Sequence, residues 1–441
     1  MNRPVSERVP QQAPSSGVLS RTRPVLPDPP DSTPRLKPLQ PKEVSPKAVR
    51  STPARARVAQ PAAVARRADG CGHAELAEEI RRARVTTPGL EFWFDSHPRI
   101  HAPDTPAGDA VAGTLGHFGR SPAGSPQLAA QLTGVTTNPI LIEEYDSVVR
   151  QRSRGGSPRS AATRDSCYHT HIASAAEAMR ALHRTSGGRY GWVSAQVSPA
   201  HTFDALAIVE EGLQLAALAQ NVMVKVPGSL EGYRAIEQLV SRGVSVNGTL
   251  SFSLAQFEAF ALAVAAGRGR LTGSENEHVR TVVTHMTGRV GDAVRAFSGT
   301  TQLDVRALRL AEAALARLGA DLVAEIEPRS SILLSSVRVD PGAAEECVHL
   351  TATLDKPVAY TIKPDTYAAL ELIDTAKVFQ PDPGLLDEVD AAGLDPTHEL
   401  IRPLFNRNLP AAQFWAMPQF LQTLAEASSS HLKLIGGVHA A

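Results

Sequence analysis

At 441 residues, 42% of them hydrophobic and with 45 basic side chains balancing 45 acidic ones, the chain has material for a sizeable core. It carries no charge excess that would draw it to nucleic acid or to a membrane surface. Its three cysteines, Cys71, Cys167 and Cys347, lie far apart without zinc or redox spacing, which argues against a disulfide framework and for a reducing, cytoplasmic setting. No secretory apolar segment is expected at the N-terminus, and no apolar run is long enough to span a bilayer.

Residues 1–68 are rich in Pro, Arg, Ser and Ala and nearly free of aromatics, so they cannot bury enough apolar surface to offset chain entropy; a disordered tail is expected there. From about residue 72 to 435 the texture is that of a folded domain. Strand-like runs are expected at 91–96, 132–137, 190–197, 221–226, 245–250, 281–286, 332–337 and 358–363. Amphipathic helical patterns alternate with them at 204–220, 230–242, 254–266, 303–318 and 342–354, and Ser253 with Gln256 forms a capping-box pattern. Eight such alternations favour an α/β fold of the (β/α)8 TIM-barrel type over an open doubly wound sheet. No glycine fingerprint for a dinucleotide and no Walker-type Gly-Lys-Ser/Thr is present, which removes the main open-sheet competitors.

The Gly- and Pro-rich spacer from His97 to about Ser125 reads as a long loop over the barrel mouth, and the segment 397–435, with Phe414, Trp415 and Phe420, as helical pieces packed across the outside. Fourteen histidines raise the question of a metal, with His169-Thr170-His171 as the nearest thing to a pair. That stretch is polar and has only Asp165 close by, so a solvated loop or helix start is expected rather than a ligand set, and no metal or cofactor is assigned.

One residue stands out. In Asn221-Val222-Met223-Val224-Lys225-Val226-Pro227 a single amine sits in an apolar strand, on the face it shares with Met223 and opposite the three valines. With the valines outward, Lys225 points into the barrel. Burial disfavours the ammonium and lowers its pKa, and a neutral amine in a dry cavity is what attack on a carbonyl carbon requires.

In a closed barrel the reacting groups project from the C-terminal strand ends. The candidates there are Asp95 on the first strand, Thr136 and Asn138 on the second and Gln196 on the third. Asn247 and Thr249 follow on the fifth strand, Thr284 with Arg289 beyond it on the sixth, and Ser336 with Arg338 beyond it on the seventh. Chemistry assigns the roles: Lys225 as a Schiff-base nucleophile, Asp95 as a general acid/base, and Arg289, Ser336 and Arg338 as a phosphate clamp.

The motifs Gly134-Val135-Thr136-Thr137-Asn138-Pro139, Val222 to Pro227, and Val246-Asn247-Gly248-Thr249-Leu250-Ser251-Phe252-Ser253 resemble those of the transaldolase family. The resemblance covers roughly residues 88–370. It implies a (β/α)8 barrel that transfers a dihydroxyacetone unit from a ketose phosphate to an aldose phosphate without metal or organic cofactor, as in the pentose phosphate pathway. By that resemblance Lys225 is the Schiff-base lysine and Asp95 the first-strand acid/base. Asn138 and Asn247 hold substrate hydroxyls, Thr249 holds the catalytic water, and Arg289, Ser336 and Arg338 form the phosphate pocket. Two positions depart from the pattern. Gln196 stands where transaldolases carry glutamate, as in the related fructose 6-phosphate aldolases; Met286 stands where the former carry phenylalanine and the latter tyrosine.

The leading expectation is therefore a transaldolase-like transferase acting on phosphorylated sugars, with no nucleic-acid or membrane partner. Two alternatives remain at this point. One is a class I aldolase, or a specialised enzyme forming carbon–carbon bonds on a related sugar phosphate; the other is a catalytically weak barrel that binds sugar phosphate. The subunit number is not legible.

Overall fold

The computed structural model describes residues 71–100, 128, 130–152, 162–297, 305–340, 347–386 and 401–436, all within the unit Ala65–Ala441. The expected tail and most of the expected mouth loop lie outside the described residues. Eight strands, β1 (Glu91–Asp95), β2 (Gly134–Thr136), β3 (Trp192–Gln196), β4 (Val222–Pro227), β5 (Val246–Ser251), β6 (Thr281–Met286), β7 (Ser330–Ser335) and β8 (Ala359–Ile362), pair in chain order and close through β8 onto β1. Each of the eight pairings is parallel, so the chain is a (β/α)8 barrel.

Period-two alternation explains the two faces of the sheet. Val222, Val224 and Val226 belong to the large apolar layer between sheet and helices. Trp93, Trp192, Met223, Val282, Leu333 and Ala359 form a separate plug inside the barrel. Trp93 fits only because β2 begins with glycine: a Cβ at Gly134 would lie 2.5 Å from the indole ring. Below this plug the buried Glu91 accepts from Trp93 Nε1 at 2.8 Å and from Arg280 Nη2 at 2.8 Å, so its charge is paired. Above it the lining turns polar.

The helices start where capping residues direct them. Asp204 accepts from the amides of Leu206 and Ala207 at the head of Ala205–Ala216, and Ser229 from Gly232 at the head of Leu230–Val240; each such cap is worth about 1 kcal/mol. Ser253 accepts from the Gln256 amide, while the Gln256 side chain accepts through Oε1 from Phe252 N and donates through Nε2 to Gly228 O and Leu250 O. The capping pair thus ties the ends of β4 and β5 to the following helix.

The structure departs from expectation in four places. β7 runs two residues earlier than the apolar run suggested, because Ser336 adopts φ 56° and turns the chain out of the sheet. The helix expected at 342–354 is, among the described residues, a single turn at Val348–Thr351, whereas Val305–Ile326 extends well past 318. His169-Thr170-His171 lies inside the long helix Ala162–Thr185 rather than in a solvated loop. Tyr168, Ile172, Ala175, Ala176 and Met179 form its buried stripe, and His171 is buried beside them. Finally, the segment after residue 401 does not merely cover the outside: helix Pro418–Gly436 packs on helices Pro139–Arg152, Ala162–Thr185 and Arg289–Phe297 and on β5. It therefore reaches the C-terminal end of the barrel. Among the described residues no helix is long and apolar enough to cross a membrane.

Candidate active site

Lys225 lies in the polar layer above the plug, with Gln196 of β3 and Asn247 of β5 as its direct neighbours in register. It is 5% exposed, and among the described residues no hydrogen bond or ion pair holds its Nζ. Burial pushes its pKa below the usual lysine range, and the Asp95 carboxylate only partly opposes that. The amine thus faces inward, and burial shifts its equilibrium toward the neutral form.

Around it the polar side chains are ordered into two chains of hydrogen bonds. Thr284 Oγ1 donates to Asn247 Oδ1 at 2.7 Å, and Asn247 Nδ2 donates to Ser194 Oγ at 2.9 Å, which fixes the amide's orientation. On the other side Thr136 Oγ1 donates to Asp95 Oδ1 at 2.6 Å and lies 2.5 Å from Thr361 Oγ1. Since Thr136 gives its proton to the carboxylate, Thr361 is the donor of that second bond. Asp95, Thr136, Lys225, Gln196, Asn247, Thr249 and Thr284 are all buried and come together at the upper end of the barrel. Thr249, opposite Pro227, precedes Leu250, whose φ of 54° accompanies the irregular register between Gly248 and Ser251. Among the described residues the two non-glycine residues with positive φ, Leu250 and Ser336, both stand at strand ends of this site; each costs on the order of 1–3 kcal/mol, and such strain is held where surrounding packing over-determines it.

Asn138 is half-buried, and its Oδ1 accepts from Leu141 N at 3.0 Å, so that oxygen caps helix Pro139–Arg152. Arg289, the first residue of helix Arg289–Phe297 after β6, and Ser336 and Arg338, on the loop after β7, are half-buried. Gly288 lets the two loops touch: a Cβ there would lie 2.3 Å from Ser336 O and 2.7 Å from Arg338 Nε. Both guanidinium groups already hold carboxylates. Arg289 Nη2 sits 2.7 Å from Glu426 Oε2, and Arg338 Nη2 sits 2.5 Å from Asp292 Oδ2.

Several supporting residues were not singled out from the sequence. Thr361 has an alternation signal in β8, being on the inward face, but nothing in the sequence names its partner. Tyr168 braces β3, its hydroxyl donating to Gln196 O and accepting from Gln196 N, both at 2.9 Å. Glu312, fully buried, accepts from Gly291 N, Arg309 Nη1 and His349 Nε2, and His349 Nδ1 in turn accepts from Arg338 N at 3.1 Å. Burial alone would raise the Glu312 carboxyl, but His349 and Arg309 outweigh it and hold it below the usual range. One carboxylate thus anchors both arginine-bearing segments.

A buried amine, a hydrogen-bonded carboxylate, an oriented amide and two guanidinium groups thus gather at the C-terminal strand ends of a closed barrel. The sequence matches the transaldolase/fructose-6-phosphate aldolase family over residues 126–396, more than half of the chain. The chain belongs to that family. It is 33% identical over 218 residues to a transaldolase of Neisseria gonorrhoeae, covering 45% of this chain and 61% of that one. It is 31% identical over 224 residues to transaldolase 1 of Streptomyces coelicolor, covering 48% and 54%. The chain therefore spans a little over half the length of these relatives. Among solved structures it is similar in part to the carboxyl transferase domain of Rhizobium etli pyruvate carboxylase, at TM-score 0.33 and 10% identity over 81% of this chain and 52% of that one, and nothing further rests on that likeness.

Proposed function

We propose that the chain transfers a dihydroxyacetone unit from a ketose phosphate to an aldose phosphate through a Schiff base on Lys225. The observation that carries this reading is the buried, unpaired Lys225, whose pKa desolvation lowers, between Gln196 and Asn247 and within the field of Asp95. Its Nζ lone pair attacks the ketose carbonyl, water leaves, and an iminium forms. Asp95 takes the proton of the hydroxyl on the carbon β to the iminium, the bond between the α and β carbons breaks, and its electrons flow to the iminium as an enamine. The aldehyde fragment departs, and the enamine attacks an aldose phosphate by the reverse sequence. Hydrolysis of the new iminium frees Lys225. Arg289, Ser336 and Arg338 hold the phosphate, which exchanges for the Glu426 and Asp292 carboxylates.

Gln196 supports a second reading, a class I aldolase that releases its fragments. A glutamine positions water but exchanges no proton with it, and loss of a general acid/base group typically slows a step by roughly 10²- to 10⁴-fold. Borohydride reduction in the presence of fructose 6-phosphate, followed by peptide mass spectrometry, tests the shared step: an adduct on the Lys225 peptide is expected, and none from folded protein refutes both readings. Omitting the aldose acceptor then separates them, since an aldolase turns over and a transferase halts at the enamine.

A further inference from the structure

Outside the barrel, three side chains of different chemistry close on one another. Asp146, from helix Pro139–Arg152, and Cys167 and His171, one turn apart on helix Ala162–Thr185, are each more than nine-tenths buried. Cys167 Sγ lies 3.3 Å from Asp146 Oδ1 and 3.3 Å from His171 Nε2, and His171 Nε2 lies 3.1 Å from the same Asp146 oxygen.

A catalytic relay is ruled out by this shape. In a relay the carboxylate and the thiol would address opposite nitrogens of the imidazole, whereas here both face Nε2. Hydrogen bonds can cover two of the three edges, the thiol donating to Asp146 Oδ1 and an imidazole protonated on Nε2 donating to the same oxygen. One edge is therefore always without a proton. A cation serves all three atoms at once. A point equidistant from the three donors lies about 1.9 Å from each, and a zinc ion displaced slightly out of that plane reaches bond lengths of roughly 2.0–2.3 Å.

We propose that Asp146, Cys167 and His171 bind a divalent cation of borderline softness, zinc being the natural fit for one sulfur, one nitrogen and one oxygen ligand. On binding, Cys167 gives its proton to solvent and His171 carries its remaining proton on Nδ1, leaving the Nε2 lone pair to the metal. The site staples the helix after β2 to the helix before β3. From there it braces both sides of the candidate active site. Tyr168, next to Cys167, holds the Gln196 backbone, and His171 O accepts from the ring Nε2 of His97, two residues beyond Asp95. The proposal does not rest on the Schiff-base reading.

The test is titration of the full chain, stripped by chelator, with cobalt(II), followed by displacement with zinc(II). One equivalent of cobalt giving a sulfur-to-cobalt charge-transfer band is expected, with the band lost in Cys167→Ser and affinity reduced at least roughly 10-fold in both Cys167→Ser and His171→Gln. A band that survives unchanged in Cys167→Ser, or no band in the native chain, overturns the proposal. Should the variants not fold, X-ray absorption of the zinc-loaded native chain decides instead: one sulfur at about 2.3 Å beside nitrogen and oxygen ligands supports the site, and a sulfur-free shell refutes it.

Discussion

Arg289 and Glu426, 137 residues apart, meet in a two-pronged ion pair, Nη2 to Oε2 at 2.7 Å and Nη1 to Oε1 at 3.0 Å. Through it the C-terminal helix places a carboxylate on one of the two guanidinium groups assigned to substrate phosphate. Both partners are part-exposed, so the pair is worth no more than about 1 kcal/mol after solvent screening. Glu426→Gln is expected to lower KM for phosphorylated ketoses by roughly 3- to 5-fold with kcat little changed. Steady-state kinetics with a phosphorylated and an unphosphorylated donor check this, and equal shifts for both would contradict the phosphate assignment to Arg289.

Burial of Lys225 disfavours its ammonium and so costs the fold stability, since the unfolded chain carries that ammonium hydrated. Lys225→Met should abolish borohydride trapping while raising unfolding stability by on the order of 1 kcal/mol, because an apolar chain of similar length replaces a desolvated amine. Denaturant titration alongside the trapping assay reads both effects. In the native chain, activity should rise with pH through a value below the ordinary lysine pKa, as the amine loses its proton.

At Gln196 the expectation runs toward gain. Gln196→Glu places an exchangeable proton next to Lys225 in register, and transfer between fructose 6-phosphate and erythrose 4-phosphate should accelerate by roughly 10-fold or more. A variant that folds, traps the adduct and transfers no faster would mean that Gln196 serves another reaction.

Glu312 supports the loops rather than the chemistry. Glu312→Gln leaves the buried Arg309 and His349 without their shared anion, and breaking a buried pair costs about 3–5 kcal/mol. Thermal unfolding should show a large drop in Tm. Because Gly291 N and, through His349, Arg338 N depend on the same carboxylate, KM for phosphorylated substrates should rise as well.

Acid stability follows from two buried imidazoles. Burial lowers the His97 pKa to about 3 and that of His285 to about 4, from an ordinary 6.5. The unfolded chain therefore binds protons that the folded chain refuses, and stability is full above pH 6.5 and is lost as pH falls toward 3–4. Each group contributes roughly 1.4 kcal/mol per pH unit inside its window. Chemical denaturation at pH 7, 6 and 5 should show this decline, and His285→Gln should remove about one proton's worth of the slope.

Much of this was legible from residue order alone. Alternation in Val222–Pro227 gives the direction of Lys225, and the same rule places Asp95, Gln196, Asn247 and Thr284 on inward faces, where the barrel has them. Strand existence followed from apolar runs; strand ends did not, because Ser336 leaves β7 through a positive φ that no propensity announces. Periodicity names a face but never a partner. Hence Thr361 beside Thr136, Tyr168 against Gln196, and Glu426 on Arg289 were invisible, each being a contact between segments far apart in the chain. His171 was misread for the same reason: its surroundings in sequence are polar, while its surroundings in space are Cys167, Asp146 and the ring of Tyr145.

The hydrogen-bonded line Thr361–Thr136–Asp95 joins β8 and β2 across β1, which is where the last strand meets the first. The carboxylate proposed as the acid/base is thus also a rivet in the seam of the barrel. Closure of the last strand onto the first therefore completes the hydrogen bonding of the threonine that holds Asp95.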